Sequence, residues 1–574
     1  LNAGTNAISQ SGAILVDDGA VSLSGGTITL EGANILGAVT VTSGSGTVSL
    51  IENDGVTIAG IDRTDGDLTI NAGSNSIAQS GAILVDDGRV SLSGGAITLE
   101  EANVLGAVTV SYGAGVVSLT ENDSIAVSGI TRTDGDLTLN AGTNSIEQSG
   151  AILVDDGGVS LSGGAITLQG ANIFGTVTVN SGAGTVSLTE DDAISVAGIT
   201  RTDGDLSLNA GTNAISQTGI ISVDDGTVSI TSGSLTLDLD NTLGSTSLNV
   251  GGDATVKTVS ALSLQGSVAG QLSATATAGG ISEAGTLTVT GASTFDAGTA
   301  ALTLDDATSS YGDLVVTASD AIIKEADSVT ASSIQATNLQ VSANSGISIT
   351  ANGVENFAAQ TESGDISFVN VGGYSVESFA VDGGVEGVSF TDGSATGTIS
   401  LIAEGPLSIN APIDAKGGSL VLAASGTGTT DDLTINSELT AASATLYAGD
   451  SINLSNGAVF STSDTVLWLG TNFDSSDSSV SLGSADGTLS IVKGVKLPAS
   501  IMIKGVGRTP LGFDSKARII KSSYEQMVDY SNAMNPLLEE TSTWENIKLL
   551  GFLPDRMSDL LAPQNSGQIE TEEE

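Results

Sequence analysis

Cysteine and histidine are both absent from this 574-residue chain. Without cysteine there is no disulfide, no thiolate nucleophile and no zinc–thiolate centre, and bridges say nothing about the compartment. Without histidine the commonest general base, the usual imidazole metal ligands and any Ser-His-Asp arrangement are excluded. Aromatic residues make up only 3% of the chain, and no proline precedes Pro406. Antiparallel sandwiches carry turn prolines and larger aromatic cores, so both scarcities argue against them. Basic residues number 16 against 66 acidic ones, a formal net charge of −50. Nucleic acid and anionic membrane surfaces would repel such a chain at long range, whereas cationic partners and divalent ions are compatible with it. No run of about 20 apolar residues is present to serve as a transmembrane segment. The chain opens at Leu1 with no Met and no basic leader, and is read as a fragment or processed piece of a longer protein.

What is present is a vocabulary of strands and turns. Glycine accounts for 75 residues, and Ser, Thr, Ala, Val, Leu and Ile fill most of the rest. A hydrophobic content of 40% with positive mean hydropathy argues against wholesale disorder. SGAILVDDG occurs verbatim at Ser11 to Gly19, Ser80 to Gly88 and Ser149 to Gly157, with a drifted copy, TGIISVDDG, at Thr218 to Gly226. The step is 69 residues, and it also relates Arg63, Arg132 and Arg201 in RTDGD, and Asn2, Asn71, Asn140 and Asn209 in the NAG that follows.

Sixty-nine residues is too long for one turn of a solenoid. A shorter period lies inside it: Leu137-Thr138-Leu139-Asn140 is echoed by Val159-Ser160-Leu161-Ser162, Val186-Ser187-Leu188-Thr189 and Leu206-Ser207-Leu208-Asn209, at steps of 22, 27 and 20 along the chain. Stacked as neighbours, these segments put Leu137, Val159, Val186 and Leu206 in one inward column and leave Thr138, Ser160, Ser187 and Ser207 to solvent. The expected fold is all-β, a right-handed parallel β-helix (β-solenoid) with coils of about 23 residues, and a small helical C-terminal region. Residues 1–240 hold the regular repeats, three coils each, and residues 241–492 are a diverged solenoid. On the order of 21 coils would make a rod roughly 100 Å long at the usual strand spacing.

From Lys493 the composition shifts: residues 493–574 hold nine of the 16 basic residues, all four Met and five of the seven prolines. Helical spacing at Ile520, Tyr524, Met527 and Val528 predicts a helix over 515–534. Ser542-Thr543-Trp544-Glu545 reads as a capping box for a second, through Leu550. The expected role is a cap over the open end of the solenoid, with partner docking as the alternative.

Candidate chemistry is thin. The pairs Asp17-Asp18, Asp86-Asp87, Asp155-Asp156 and Asp224-Asp225 each precede glycine, and oxygen-rich turns of this kind can hold calcium. Solvated corners explain them as well, and on a three-coil repeat they would stand about 14 Å apart, too far to share an ion. The nonapeptide G-G-x-G-x-D of calcium-binding β-helices is missing. Arg63 with Asp65 and Asp67, and the equivalent groups at Arg132 and Arg201, read as surface ion pairs relieving acidic repulsion and not as a receptor tripeptide. Thr27 and Thr29 hint at ice binding, but Ala96 and Ala165 break that pattern. No catalytic or cofactor-binding residue is expected.

The segments GDLTLNAGTNSI at Gly135 to Ile146, GGVSLSGGAITL at Gly157 to Leu168 and GAGTVSLTE at Gly182 to Glu190 resemble the coil repeats of filamentous haemagglutinin-like exoproteins. The likeness covers about 490 residues and rests on a degenerate strand-and-turn pattern. It implies a large secreted bacterial surface protein, exported by a two-partner or autotransporter route, although neither an amino-terminal secretion domain nor a carboxy-terminal barrel is visible. The expected function is a non-catalytic structural and adhesive rod, extracellular or on the cell surface. Its expected partner is a glycan or protein of a host or neighbouring cell, with no nucleic acid, and self-association is compatible. The alternatives are a β-helical polysaccharide-active enzyme, which paired carboxylates would serve, and a calcium-ordered surface layer.

Overall fold

Alternation of Leu, Val or Ile with Ser or Thr buries every second side chain of a strand. In this protein it builds ladders of parallel strands. The structure is a computed structural model. It describes residues 1–505 except 43, 64, 112, 381–383, 427, 456, 475–478, 483–488, 492–494 and 497–499, and beyond 505 only Gly512–Phe513, Ile519–Ile520 and Ile547–Leu549. The described residues contain strands and no helix. Two compact units, Leu1–Gly298 and Thr299–Glu574, are each parallel β-solenoid.

In the first unit one ladder runs Ile8, Ile28, Val48, Leu68, Val90, Val108, each residue paired in parallel with the next. A second runs Ile77, Ile97, Val117, Leu137, Val159, Val177. Both advance along the chain by 20, 20, 20, 22 and 18, and the second is the first displaced by 69. The chain visits them alternately: Leu68, Ile77, Val90, Ile97, Val108, Val117. One 69-residue repeat is therefore three and a half coils of about 20 residues, a length within the usual range for solenoid repeats, and equivalent residues of successive repeats lie on alternate ladders. The longer coil expected from the sequence, three to a repeat, is corrected by this register. Leu137 does pair with Val159, and Val186 with Leu206, but Val159 pairs with Val177. The step from Val159 to Val186 joins segments of different ladders.

Inward Leu137, Leu139, Val159 and Leu161 are all buried, and each such side chain contributes about 1.5–3 kcal/mol relative to exposure. The corners turn on glycine because successive coils touch there through the backbone. A Cβ on Gly88 would overlap the carbonyl oxygen of Gly66, and one on Gly66 the carbonyl of Gly46. Gly66 also sits at φ +100°, where a side chain is strained.

The second unit uses shorter coils at first. Ala321, Leu339 and Phe357 pair at 18-residue steps, as do Val329 and Ile347. Its core holds larger groups: Phe357 and Phe368 stack at 3.9 Å, with Tyr374 edge-on to Phe368 at 4.9 Å. After Phe357 the step lengthens, since Ala359 pairs with Val388, and the described residues 377–380 and 384–387 form an arm beside the coil. The expected helices over 515–534 and 542–550 lie outside the described residues save at two points. Ile519–Ile520 and Ile547–Leu549 are strands, the latter parallel to Ser500–Gly505.

Candidate functional site

The Asp-Asp-Gly corners lie on the surface. Asp17, Asp18, Asp86, Asp87, Asp155, Asp156, Asp224 and Asp225 are all exposed, and among the described residues no three acidic side chains converge as metal ligands would. The half-coil offset puts Asp17 and Asp86 on alternate ladders. Asp17 and Asp155 share a ladder but stand seven coils apart, about 34 Å at the strand spacing, and not three coils from the next pair as expected. Three of the four corners are pinned from the preceding coil instead: Asp67 accepts from the Arg89 amide at 2.9 Å, Asp136 from Gly158 at 2.8 Å and Asp205 from Thr227 at 2.9 Å. The Thr227 hydroxyl and amide together hold the Asp205 carboxyl below the usual carboxylate range.

The RTDGD arginines correct the surface ion-pair expectation. Arg63, Arg132 and Arg201 are among the most deeply buried side chains of the first unit, 1–2% exposed, and none forms an ion pair among the described residues. Their forks bind oxygens at the glycine corners. Arg63 donates to the carbonyls of Gly25 and Gly26 at 3.0 Å. Arg132 donates to Gly94 at 3.0 Å, to Gly115 at 2.7 Å and to Gly95. Arg201 donates to the Ser181 hydroxyl at 2.5 Å and the Asp203 carbonyl at 2.9 Å. A planar fork with five donors suits this clustering of carbonyls, which the close approach of glycine backbones creates.

A polar cluster that the sequence reading missed recurs once in each repeat of the first unit, on alternate ladders. Gln148 and Asn172 exchange two amide hydrogen bonds at 2.8 Å. Asn172 also accepts from the Ile152 amide at 2.9 Å and donates to the Thr189 carbonyl at 3.0 Å, so the fully buried amide is satisfied. Asn172 pairs in register with Glu190 of the next coil, whose Oε2 accepts from the Phe174 amide at 3.1 Å. Gln10, Asn34 and Glu52 repeat the arrangement, as do Gln79, Asn103 and Glu121. In the fourth copy Gln217 and Asn241 persist, but Asn241 faces Thr258.

Each buried glutamate sits two residues before an aspartate: Glu52 and Asp54, Glu121 and Asp123, Glu190 and Asp192. Burial pushes the Glu121 and Glu190 carboxyls up to about 9, helped by the charge and side-chain contact of Asp123 and Asp192. Burial and the Asp54 charge raise Glu52 to about 7. At neutral pH Glu121 and Glu190 are therefore protonated. The second unit has a counterpart: burial and the Asp327 charge push Glu325 up to about 8. These pairs have the composition of an acid–base couple, but the glutamates are turned under the backbone and 2–3% exposed.

The signal for them was the alternation itself. Val117, Leu119 and Glu121 occupy i, i+2 and i+4 of one strand, as do Val186, Leu188 and Glu190. Period two sends all three inward, and Ile130 and Arg132 follow the same rule.

Four consecutive stretches, residues 45–111, 114–181, 183–249 and 251–318, match a family described as repeats of unknown function (DUF5649). They recur at the 69-residue step and carry the repeat past residue 240, where verbatim identity fades. Together they make up a little under half of the chain. No curated protein and no solved structure matches it. The chain is a β-solenoid repeat protein.

Proposed function

We propose that this chain is a non-catalytic structural and adhesive scaffold of a large secreted bacterial surface protein, attaching its cell to a host or neighbouring cell or promoting aggregation. The observation that carries the reading is where the repeated polar chemistry goes. Arg132, Asn172 and Glu190 and their equivalents are spent on holding coils together, while the outward positions are Ser, Thr and exposed acidic residues. A repeat of that kind supplies reach and solubility. The resemblance of the segments at Gly135 to Ile146 and Gly157 to Leu168 to filamentous haemagglutinin-like exoproteins supports an extracellular setting. The absence of cysteine suits a chain exported before it folds. A polysaccharide-active enzyme would need its carboxyl pair flanking a sugar, and the buried position of Glu121 and Glu190 weighs against it.

The test is adherence. Beads coated with the purified chain are expected to bind epithelial or bacterial cells, or one another, well above beads coated with an equally acidic globular protein. Equal binding of both bead types would remove the adhesive half of the reading.

A further inference from the structure

In the second unit three strands, Leu302–Leu304, Asp320–Lys324 and Asn338–Ala343, pair in parallel and form one face. Leu302, Ala321 and Leu339 point to the core, so their neighbours Thr303, Ile322 and Gln340 point outward in one column. An outward side chain on a solenoid is ordinarily solvated. Gln340 is only 4% exposed, and neither its amide nitrogen nor its carbonyl oxygen has a hydrogen-bond partner among the described residues.

Beside the column lies an arm that leaves the coil after Val376, described at residues 377–380 and 384–387. The Glu377 amide donates to the Phe357 carbonyl at 3.0 Å, Phe379 to Val385 at 2.9 Å and Gly387 to Glu377 at 3.2 Å, and Ser378 bridges Glu386 antiparallel. Phe379 of the arm lines, together with Thr303, Asp320, Ile322, Asn338 and Gln340 among others, a cavity of about 400 Å³. Along its edge Asn338 donates to Asp320 and accepts from Asn356 at 2.8 Å, which holds both groups in place.

A buried amide with nothing to bind costs about 1–3 kcal/mol, and such a group in a cavity marks a place for a hydrogen-bonding ligand. The lining defines its class. No basic residue is among the described residues that line the cavity, so an anion finds no counter-charge in them. An amide, a carboxylate and a second amide offer donors and acceptors in the mixture that hydroxyl groups require. Phe379 and Ile322 supply apolar walls for the C–H face of a ring. The volume is at the small end of ligand sites, with room for about one or two pyranose rings.

We propose that this cavity is a binding site for a neutral hexopyranose, read by Gln340, Asn338 and Asp320 and packed against Phe379. It deepens the adhesive reading by naming the surface ligand as a neutral glycan, and it rests on that reading only for its biological setting.

The experiment is saturation-transfer NMR on the full chain with methyl glucoside, methyl galactoside and methyl mannoside as probes, beside glucuronate and glucosamine. At least one neutral glycoside is expected to receive saturation, and glucuronate none. Gln340→Leu and Phe379→Ala are each expected to weaken that binding at least tenfold. Gln340→Leu should do so without lowering the melting temperature, because it removes an unpartnered amide. Since Phe379→Ala alters the arm, Asp320→Ala at the exposed rim serves as an independent variant and is also expected to lose affinity. No transfer to any neutral glycoside, preference for glucuronate or glucosamine, or binding unchanged in Gln340→Leu and Asp320→Ala would overturn the site. The bead assay separates the two readings: absent sugar binding with adherence intact sinks this site alone, and sugar binding without any adherence sinks the adhesive function alone.

Discussion

Ile77 and Ile146 hold the same place in successive repeats, yet Ile77 pairs with Ile97 in one ladder and Ile146 with Ile166 in the other. The half coil in each repeat means that any surface feature it carries recurs on alternate sides of the first unit. Two features that share a ladder are two repeats apart.

Deletions test this geometry. Removing residues 77–96 takes out one coil and lets Ile97 occupy the place of Ile77. That variant is expected to keep a β-rich circular dichroism spectrum and a cooperative melt. Removing 77–99, the coil length inferred from sequence, shifts the following strand by three positions. An odd slip turns every inward side chain outward, so this variant is expected to lose cooperativity or to aggregate. Equal stability of the two would disprove the shorter coil.

Stability is expected to fall as pH rises. Glu121 and Glu190, held up at about 9 against 4.5 for a free glutamate, keep protons that the unfolded chain has released. Their contribution is complete below about pH 4.5 and is lost as pH climbs through 9, at about 1.4 kcal/mol per pH unit for each proton held. The melting temperature should therefore decline between pH 5 and 9. Glu121→Gln with Glu190→Gln, which donates to the aspartate without a proton to lose, should raise the melting temperature at pH 8 and flatten the profile. A profile of unchanged slope in the double variant would show that these two glutamates hold no extra protons in the folded chain.

Arg132 gathers the carbonyls of Gly94, Gly95 and Gly115. Arg132→Met keeps most of the volume but strands those oxygens, and should cost about 2–4 kcal/mol. Arg132→Lys keeps the charge but not the fork and should recover only part of it. Hydrogen exchange across residues 94–115 is the local readout, and protection equal to wild type in Arg132→Met would show that the guanidinium is dispensable.

At the exposed Asp-Asp-Gly corners, no third carboxylate among the described residues joins Asp86 and Asp87. Melting in calcium and in chelator is expected to agree within a degree or two. A calcium-dependent rise that disappears in Asp86→Asn with Asp87→Asn would make these corners ligands, and with them a calcium-ordered surface layer.

Much of the solenoid was legible because period-two alternation is a local property. Leu137 and Leu139 announce an inward face without reference to any partner, and the same rule placed Glu121 and Arg132 inward. A charged side chain at an inward position is costly unless partners compensate its burial. The compensation comes from groups distant in sequence: the Leu105 amide for Glu121, and the Gly94 and Gly95 carbonyls for Arg132.

The sequence by itself determined the parallel stacking, the glycine corners and the 69-residue step, because each follows from residue type at short range. Only the tertiary structure decided that Val159 pairs with Val177 and not Val186. Both candidates present the same alternation, and the choice depends on how much chain closes a whole coil. The cavity beside Gln340 was likewise beyond reach of the sequence. Its lining joins Phe379, from the residues inserted after Val376, to a face that alternation alone would have left to water.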